Sequence, residues 1–182
     1  MVDLITKRPV RGFTLIELMV TLAVVGVLIA LAAPSFSSLL ASNRASSIST
    51  ELAGAMMFAR AEAVKRGVRV TICKSSDTDQ ATPTCSTSAT WGDGWLVFTD
   101  TGTIGAVDGT DVRLKVAQPA IRNGSIASSN ANFANFLSFD TRGNLVSSSG
   151  AVSTSMVICY VHSQRTIEVG ATGRIHTVAG SC

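Results

Sequence analysis

The sequence predicts an α+β chain: one long N-terminal helix, half membrane-spanning and half amphipathic, packed on a β-sheet head. Three observations predict it. Residues 13–33 are apolar apart from Thr14, Glu17 and Thr21. Residues 39–66 carry an apolar stripe at helical spacing. After Gly67 the chain breaks into short β-rich runs divided by Gly, Ser, Asn and Asp. No internal repeat is evident.

A helix over 13–33, rising about 1.5 Å per residue, crosses a hydrocarbon core of about 30 Å. Lys7, Arg8 and Arg11 precede it and place its N-terminal side in the cytoplasm, with the rest of the chain exported. Two processing readings compete. Ala30-Leu31-Ala32 fits the small-x-small pattern of a secretory signal cleaved after Ala32. Yet the apolar run exceeds the usual apolar region of about 7–15 residues, and such a signal has no use for Glu17. The other reading cuts between Gly12 and Phe13 and keeps the helix. Gly26 and Pro34 mark places where that helix can bend.

In the second half of the helix, Ile48, Leu52, Ala55, Met56, Ala59 and Ala63 form the stripe. Arg44, Glu51, Arg60, Glu62 and Lys65 fall mostly on other faces. Met56, Met57 and Phe58 read as core packing. Lys65-Arg66 suit a helix C-terminus, and Gly67 ends it. The runs VRVTICK, GWLVFTD, VRLKVA, FLSFD, MVICYV, RTIEV and RIHTV then read as strands. SSDTDQATPTCSTSAT is a polar loop between the first two. A helix followed by strands gives the α+β class.

The four cysteines form no C-x-x-C pair, and no His lies at zinc spacing, so no metal site is expected. In an exported chain an even count points to two disulfides, with three pairings open. Cys73–Cys85 and Cys159–Cys182 are favoured because each closes a local loop. The second ties down the last residue.

Charge is uneven. The whole chain carries 15 Lys and Arg against 12 Asp and Glu. Cutting after Gly12 removes Lys7, Arg8, Arg11 and Asp3 and leaves a near-neutral chain, which argues against a strongly cationic nucleic-acid binder. Residues 44–74 and 113–182 are net basic, while 77–111 holds six Asp and no Lys or Arg. Any anion-binding surface belongs to the basic stretches. Asp100, Asp108 and Asp111 sit near glycines, but their spacing does not match a calcium-binding EF-hand loop. With two His, no nucleophile elbow and no phosphate-cradling glycine loop, neither an enzyme nor a cofactor is expected.

The stretch RGFTLIELMVTLAVVGVLIALAAPSF resembles the N-terminus of type IV pilins and of the pseudopilins of type II secretion. FARAEAVKRGVRVTICK, WGDGWLVFTD and LSFDTRGNL are similar to the GspH/FimT/FimU group of minor pilins and pseudopilins, closest to FimT-like minor pilins. The resemblance implies a pilin-like fold and cleavage by a prepilin peptidase between Gly12 and Phe13, with N-methylation of Phe13. Glu17 becomes the fifth mature residue and Pro34 the twenty-second. An isolated carboxylate in a bilayer costs roughly 2.5–3.5 kcal/mol or more. Pairing Glu17 with the Phe13 ammonium of a neighbour offsets that cost and favours side-by-side docking. The implied division is a cleaved leader at 1–12, a filament-core helix at 13–36, an amphipathic helix at 37–67 and a β-rich head at 68–182.

The implied partners are other major and minor pilins, the prepilin peptidase and an inner-membrane assembly platform. The implied location is a single-pass span of the bacterial inner membrane with the head periplasmic, then the pilus. The H-type pseudopilin of type II secretion is the alternative role. The C-terminal ATGRIHTVAGSC resembles a region in some FimT-type pilins where Gly-Arg-x-Arg binds DNA. Gly173 and Arg174 match that motif. His176 replaces the second Arg and offers less charge and no bidentate fork. Arg113, Lys115, Arg122, Arg142 and Arg165 are the supporting cations expected around double-stranded DNA.

Overall fold

The computed structural model describes residues 12–118, 121, 124–147 and 153–182, with residues 32–34 described by backbone alone. Of the expected functional residues, Lys7, Arg8, Arg11 and Arg122 lie outside the described set, and so does the side chain of Pro34. The chain forms two compact units, Met1–Ser38 and Leu39–Cys182. The helix α1 (Leu15–Arg66) begins in the first and ends in the second.

In the first unit, residues 12–31 are all exposed. Thr21 Oγ1 donates to Leu18 O at 2.9 Å, so its hydroxyl is satisfied by the helix itself.

The second unit starts with the amphipathic part of α1. Ile48, Leu52, Ala55, Met56, Ala59 and Ala63 are all buried, as one helical face requires. Met57 is exposed, since it stands one residue off that face, and Phe58 is partly buried against the core. Gly67 takes φ +66° and its N–H donates to Ala63 O, the left-handed stop that a glycine makes cheap.

Two antiparallel sheets complete the unit. Sheet A is ordered β3 (Arg113–Ala117), β2 (Trp95–Thr99), β1 (Val70–Lys74), β5 (Phe136–Phe139), β6 (Leu145–Val146). Sheet B is ordered β4 (Gly124–Ser128), β7 (Thr154–Tyr160), β8 (Ser163–Val169), β9 (Ile175–Ser181). The strands β4 and β6 lie outside the seven strand-like runs. GSIAS has one large apolar residue, Ile126, and its extended form rests on continuous pairing with β7.

The α1 stripe, Trp95, Val97, Leu137 and Phe139 of sheet A, and Met156, Ile158 and Ile167 of sheet B form one core. Sheet A has a second apolar cluster of Cys73, Leu96 and Phe98, packed with Cys85, Val107 and Phe136. Both of its faces are thus covered. This is why WLVFT is buried along its whole length and does not alternate. Disulfides join Cys73 to Cys85 and Cys159 to Cys182.

Candidate assembly and anion-binding sites

The helix start carries the first site. Thr14 Oγ1 accepts the Glu17 backbone N–H at 3.3 Å, and Leu18 N–H donates to Thr14 O. Thr14 is therefore an N-cap and Glu17 the third helical residue, the spacing of a capping box. A carboxylate here also complements the positive end of the helix dipole. The sequence reading overlooked Thr14, although Thr-x-x-Glu before an apolar run is a recognisable signal. Beyond it, Phe13, Leu15, Ile16, Leu18, Met19, Val20 and the apolar residues up to Leu31 are exposed. So long an apolar surface calls for lipid or neighbouring helices.

The basic residues separate into three places. Lys115 is on edge strand β3, with its Nζ 5.9 Å from the Phe58 ring centroid. Its neighbour Arg113 donates from Nε to Pro83 O at 2.7 Å. Arg165 shares the inward parity of Ile167 and Val169 on β8 and donates from Nη2 to Ser42 Oγ of α1 at 3.0 Å. It ties sheet B to the helix, away from any outer anion surface.

Arg142 and Arg174 are the pair brought together, through their turns. Each is exposed and adjoins a buried glycine, Gly143 or Gly173. Leu145 N–H donates to Ala171 O at 2.9 Å and joins the two turns. Arg60 of α1 clamps both, donating from Nε to Gly143 O at 3.0 Å and from Nη2 to Thr172 O at 3.1 Å. Nothing in local sequence marks Arg60 for this task, because its acceptors lie 83 and 112 residues away.

His176 sits opposite Glu168 in the β8–β9 register, and its Nε2 lies 3.1 Å from Glu168 Oε2. Its positive charge, when present, is shared with that carboxylate. Together with Arg174, Ser129, Asn130 and Ser155 the pair lines an open groove of about 640 Å³.

The acidic loop is internally satisfied. Asp100 is buried and accepts from Arg69 Nη2 at 2.6 Å, Thr71 Oγ1 at 2.6 Å and Gly105 N–H at 2.8 Å. Asp111 takes the N–H groups of Thr101 and Asp108, and Asp108 takes that of Thr103. Among the described residues no cluster of His, Cys, Asp and Glu is arranged to hold a metal ion.

Comparison with known proteins places this architecture. The family profile described as Type II transport protein GspH matches residues 49–173, more than half of the chain. The prokaryotic N-terminal methylation motif matches residues 7–33. No curated protein sequence matches. Two crystal structures of the type IV minor pilin FimU of Pseudomonas aeruginosa share the fold. One aligns with TM-score 0.55 and 20% identity over 77% of this chain and 96% of that one. The other aligns with TM-score 0.54 and 19% identity over 75% and 98%. A buried helical stripe on two antiparallel sheets, an exposed apolar helix headed by Glu17 and these matches agree: the chain belongs to the GspH family of type IV minor pilins and pseudopilins.

Proposed function

We propose that this chain is a minor pilin of a type IV pilus, acting by association in the tip or initiating complex. Its family is one of structural subunits, and its N-terminal motif is that of a methylated, membrane-anchored helix. The exposed, largely apolar helix from Phe13 to Leu31 with Glu17 in its first turn carries the assembly reading, which the pseudopilin role shares, and the fold in common with two FimU structures favours the pilus. Prepilin peptidase removes residues 1–12, and Phe13 receives the methyl group. The helix waits in the inner membrane, N-terminus cytoplasmic and head periplasmic. The assembly platform then moves it beside other pilins, where Glu17 pairs with a neighbour's terminal ammonium and the apolar helices exchange lipid contact for each other.

The test is recovery of the chain in sheared pili from the native bacterium. Wild type is expected in the pilus fraction, and Glu17→Gln is expected to remain in the membrane. The alternative role as an H-type pseudopilin predicts instead that deletion stops type II secretion and leaves piliation intact.

A second reading, DNA capture during uptake, is favoured by one arrangement: Arg142 and Arg174 stand on two joined turns, and Arg174 also lines the groove. Two exposed cations give weak, sequence-indifferent binding whose log K falls with log salt at a slope of only about −2. A gel shift with double-stranded DNA at low and moderate salt tests it. DNA capture requires a shift that weakens with salt and is lost in Arg174→Ala.

A further inference from the structure

Ser155 of β7, Glu168 of β8 and His176 of β9 are direct register partners, so their side chains share one face of sheet B. Arg174 stands two residues before His176, and all four line the open groove of about 640 Å³. Gly173 N–H donates to Gly170 O, and Gly170 N–H to Arg174 O, which fixes the turn that carries Arg174.

The groove's uncharged polar groups are largely engaged with one another. Ser155 donates to Ser129 Oγ from its N–H at 3.1 Å and from its Oγ at 2.8 Å. Asn130 donates from Nδ2 to Ser153 O, and its Oδ1 accepts Asn132 N–H. Thr154 Oγ1 meets Ser128 Oγ at 2.8 Å. Charge therefore decides what the groove attracts. Among its described lining residues only Arg174, Glu168 and His176 can carry one. His176 meets Glu168 from β8. Further along the face, β7 and the segment after β4 supply the uncharged Ser155, Ser129 and Asn130. Arg142, on the adjoining turn, does not line the groove. With a neutral imidazole, Arg174 and Glu168 cancel. A proton on His176 gives the groove a net positive charge, and its Nε2, 3.1 Å from Glu168 Oε2, brings that charge onto the carboxylate itself.

Resting on the DNA reading above, we propose that Glu168 and His176 gate this groove by pH. At neutral pH the Glu168 carboxylate repels nucleic-acid phosphate from Arg174. In mild acid, within the range of about pH 5–8 where histidines change charge, His176 takes up a proton and offsets Glu168. Arg174 then holds the phosphate unopposed. Glu168 is a built-in inhibitor of binding, and His176 releases it.

Fluorescence anisotropy of labelled double-stranded DNA, titrated with the full chain in neutral detergent at low salt, tests this at about pH 7.5 and about pH 5.5. Wild type should bind at least about threefold tighter at the lower pH, with a salt slope steeper by about one. His176→Gln should bind equally at both pH values. His162→Gln, which changes the chain's other histidine, should keep the wild-type response. Glu168→Gln should bind at neutral pH at least as tightly as wild type does in acid. Glu168 and His176 are 51% and 48% exposed, so these substitutions spare the core. A pH response that survives His176→Gln, or a Glu168→Gln variant no tighter than wild type at neutral pH, overturns the gate. Binding that Arg174→Ala abolishes but pH leaves unchanged overturns the gate and keeps the DNA reading. No binding by wild type or Glu168→Gln at either pH overturns both.

Discussion

A side chain on Gly173 would collide with the backbone of Gly143: a Cβ there would lie 2.0 Å from the Gly143 carbonyl oxygen and 2.7 Å from Arg60 Nε. Gly173 also holds φ +71°, a conformation that costs other residues about 1–3 kcal/mol. The glycine of Gly-Arg-x-His is therefore a packing element between two turns and α1. The arginine beside it is exposed.

This separation gives the first prediction. Gly173→Ala should destabilise the head by about 2–4 kcal/mol, from the φ penalty and the forced shift of Gly143 and Arg60. Arg174→Ala should stay within about 0.5 kcal/mol of wild type. Urea denaturation of both variants checks this. Equal losses would mean that Arg174 has a structural role the fold does not show.

Asp100 gives the second. Its carboxylate holds Arg69, Thr71 and the loop at Gly105, and Thr71 in turn meets Ser138 Oγ at 2.6 Å. Asp100→Ala removes the buried acceptor shared by Arg69, Thr71 and the Gly105 N–H, leaves Arg69 with Gly102 O and the nearby Asp111, and should cost about 2–4 kcal/mol. Thermal unfolding reads the loss. Asp108→Ala, which removes an acceptor from the exposed loop only, should cost far less.

Acid should weaken the head through its turn carboxylates. Burial pushes Asp140 up, but donors from Asn144 and Arg142 outweigh it and hold it below the usual aspartate value. At Asp77 the Ser75 hydroxyl is the largest cause of a downward shift, and Thr84 adds to it against burial. Burial raises Asp111, and the N–H groups of Thr101 and Asp108 reverse this. The folded values lie below the unfolded value of 3.8. The stability they contribute is therefore fully present above about pH 4–5 and is lost as pH falls through the folded values. Denaturation midpoints should be flat from about pH 7 to pH 5 and drop below pH 4. Asp140→Asn should lower the neutral plateau and flatten the acid limb.

The terminal cystine gives a local prediction. Cys182 and Cys159 are 23 residues apart and anchor β9 across β8. Cys182→Ser should lower stability by about 3 kcal/mol. Hydrogen exchange should show β8 and β9 losing more protection than β1 and β2, which should lose no more than the global amount. Uniform loss across both sheets would contradict the anchoring role.

The helix stripe from Ile48 to Ala63 and the positions of most strands were legible because each obeys a local pattern: a period of 3.6 residues for one buried face, and β-rich runs between turn residues. The cystines were legible because each closes a short loop. What escaped depends on contacts distant in sequence. The strand β4 is too small and polar to declare itself. Arg69 and Asp100 meet only through the β1–β2 register and the loop beyond it. The scattering of the basic residues escaped for the same reason. A charge count cannot tell that Arg165 points with Ile167 toward α1, or that Lys115 and Arg142 stand at opposite edges of sheet A.

The proposed function requires the Phe13 helix to be a retained assembly element and not a discarded signal. Intact-mass analysis of the membrane-bound chain, expressed with prepilin peptidase, tests it most directly. The expected product has lost residues 1–12 and begins at Phe13 with one added methyl group. A chain that begins at Ala33, or one that keeps Met1 in the presence of active peptidase, would contradict it.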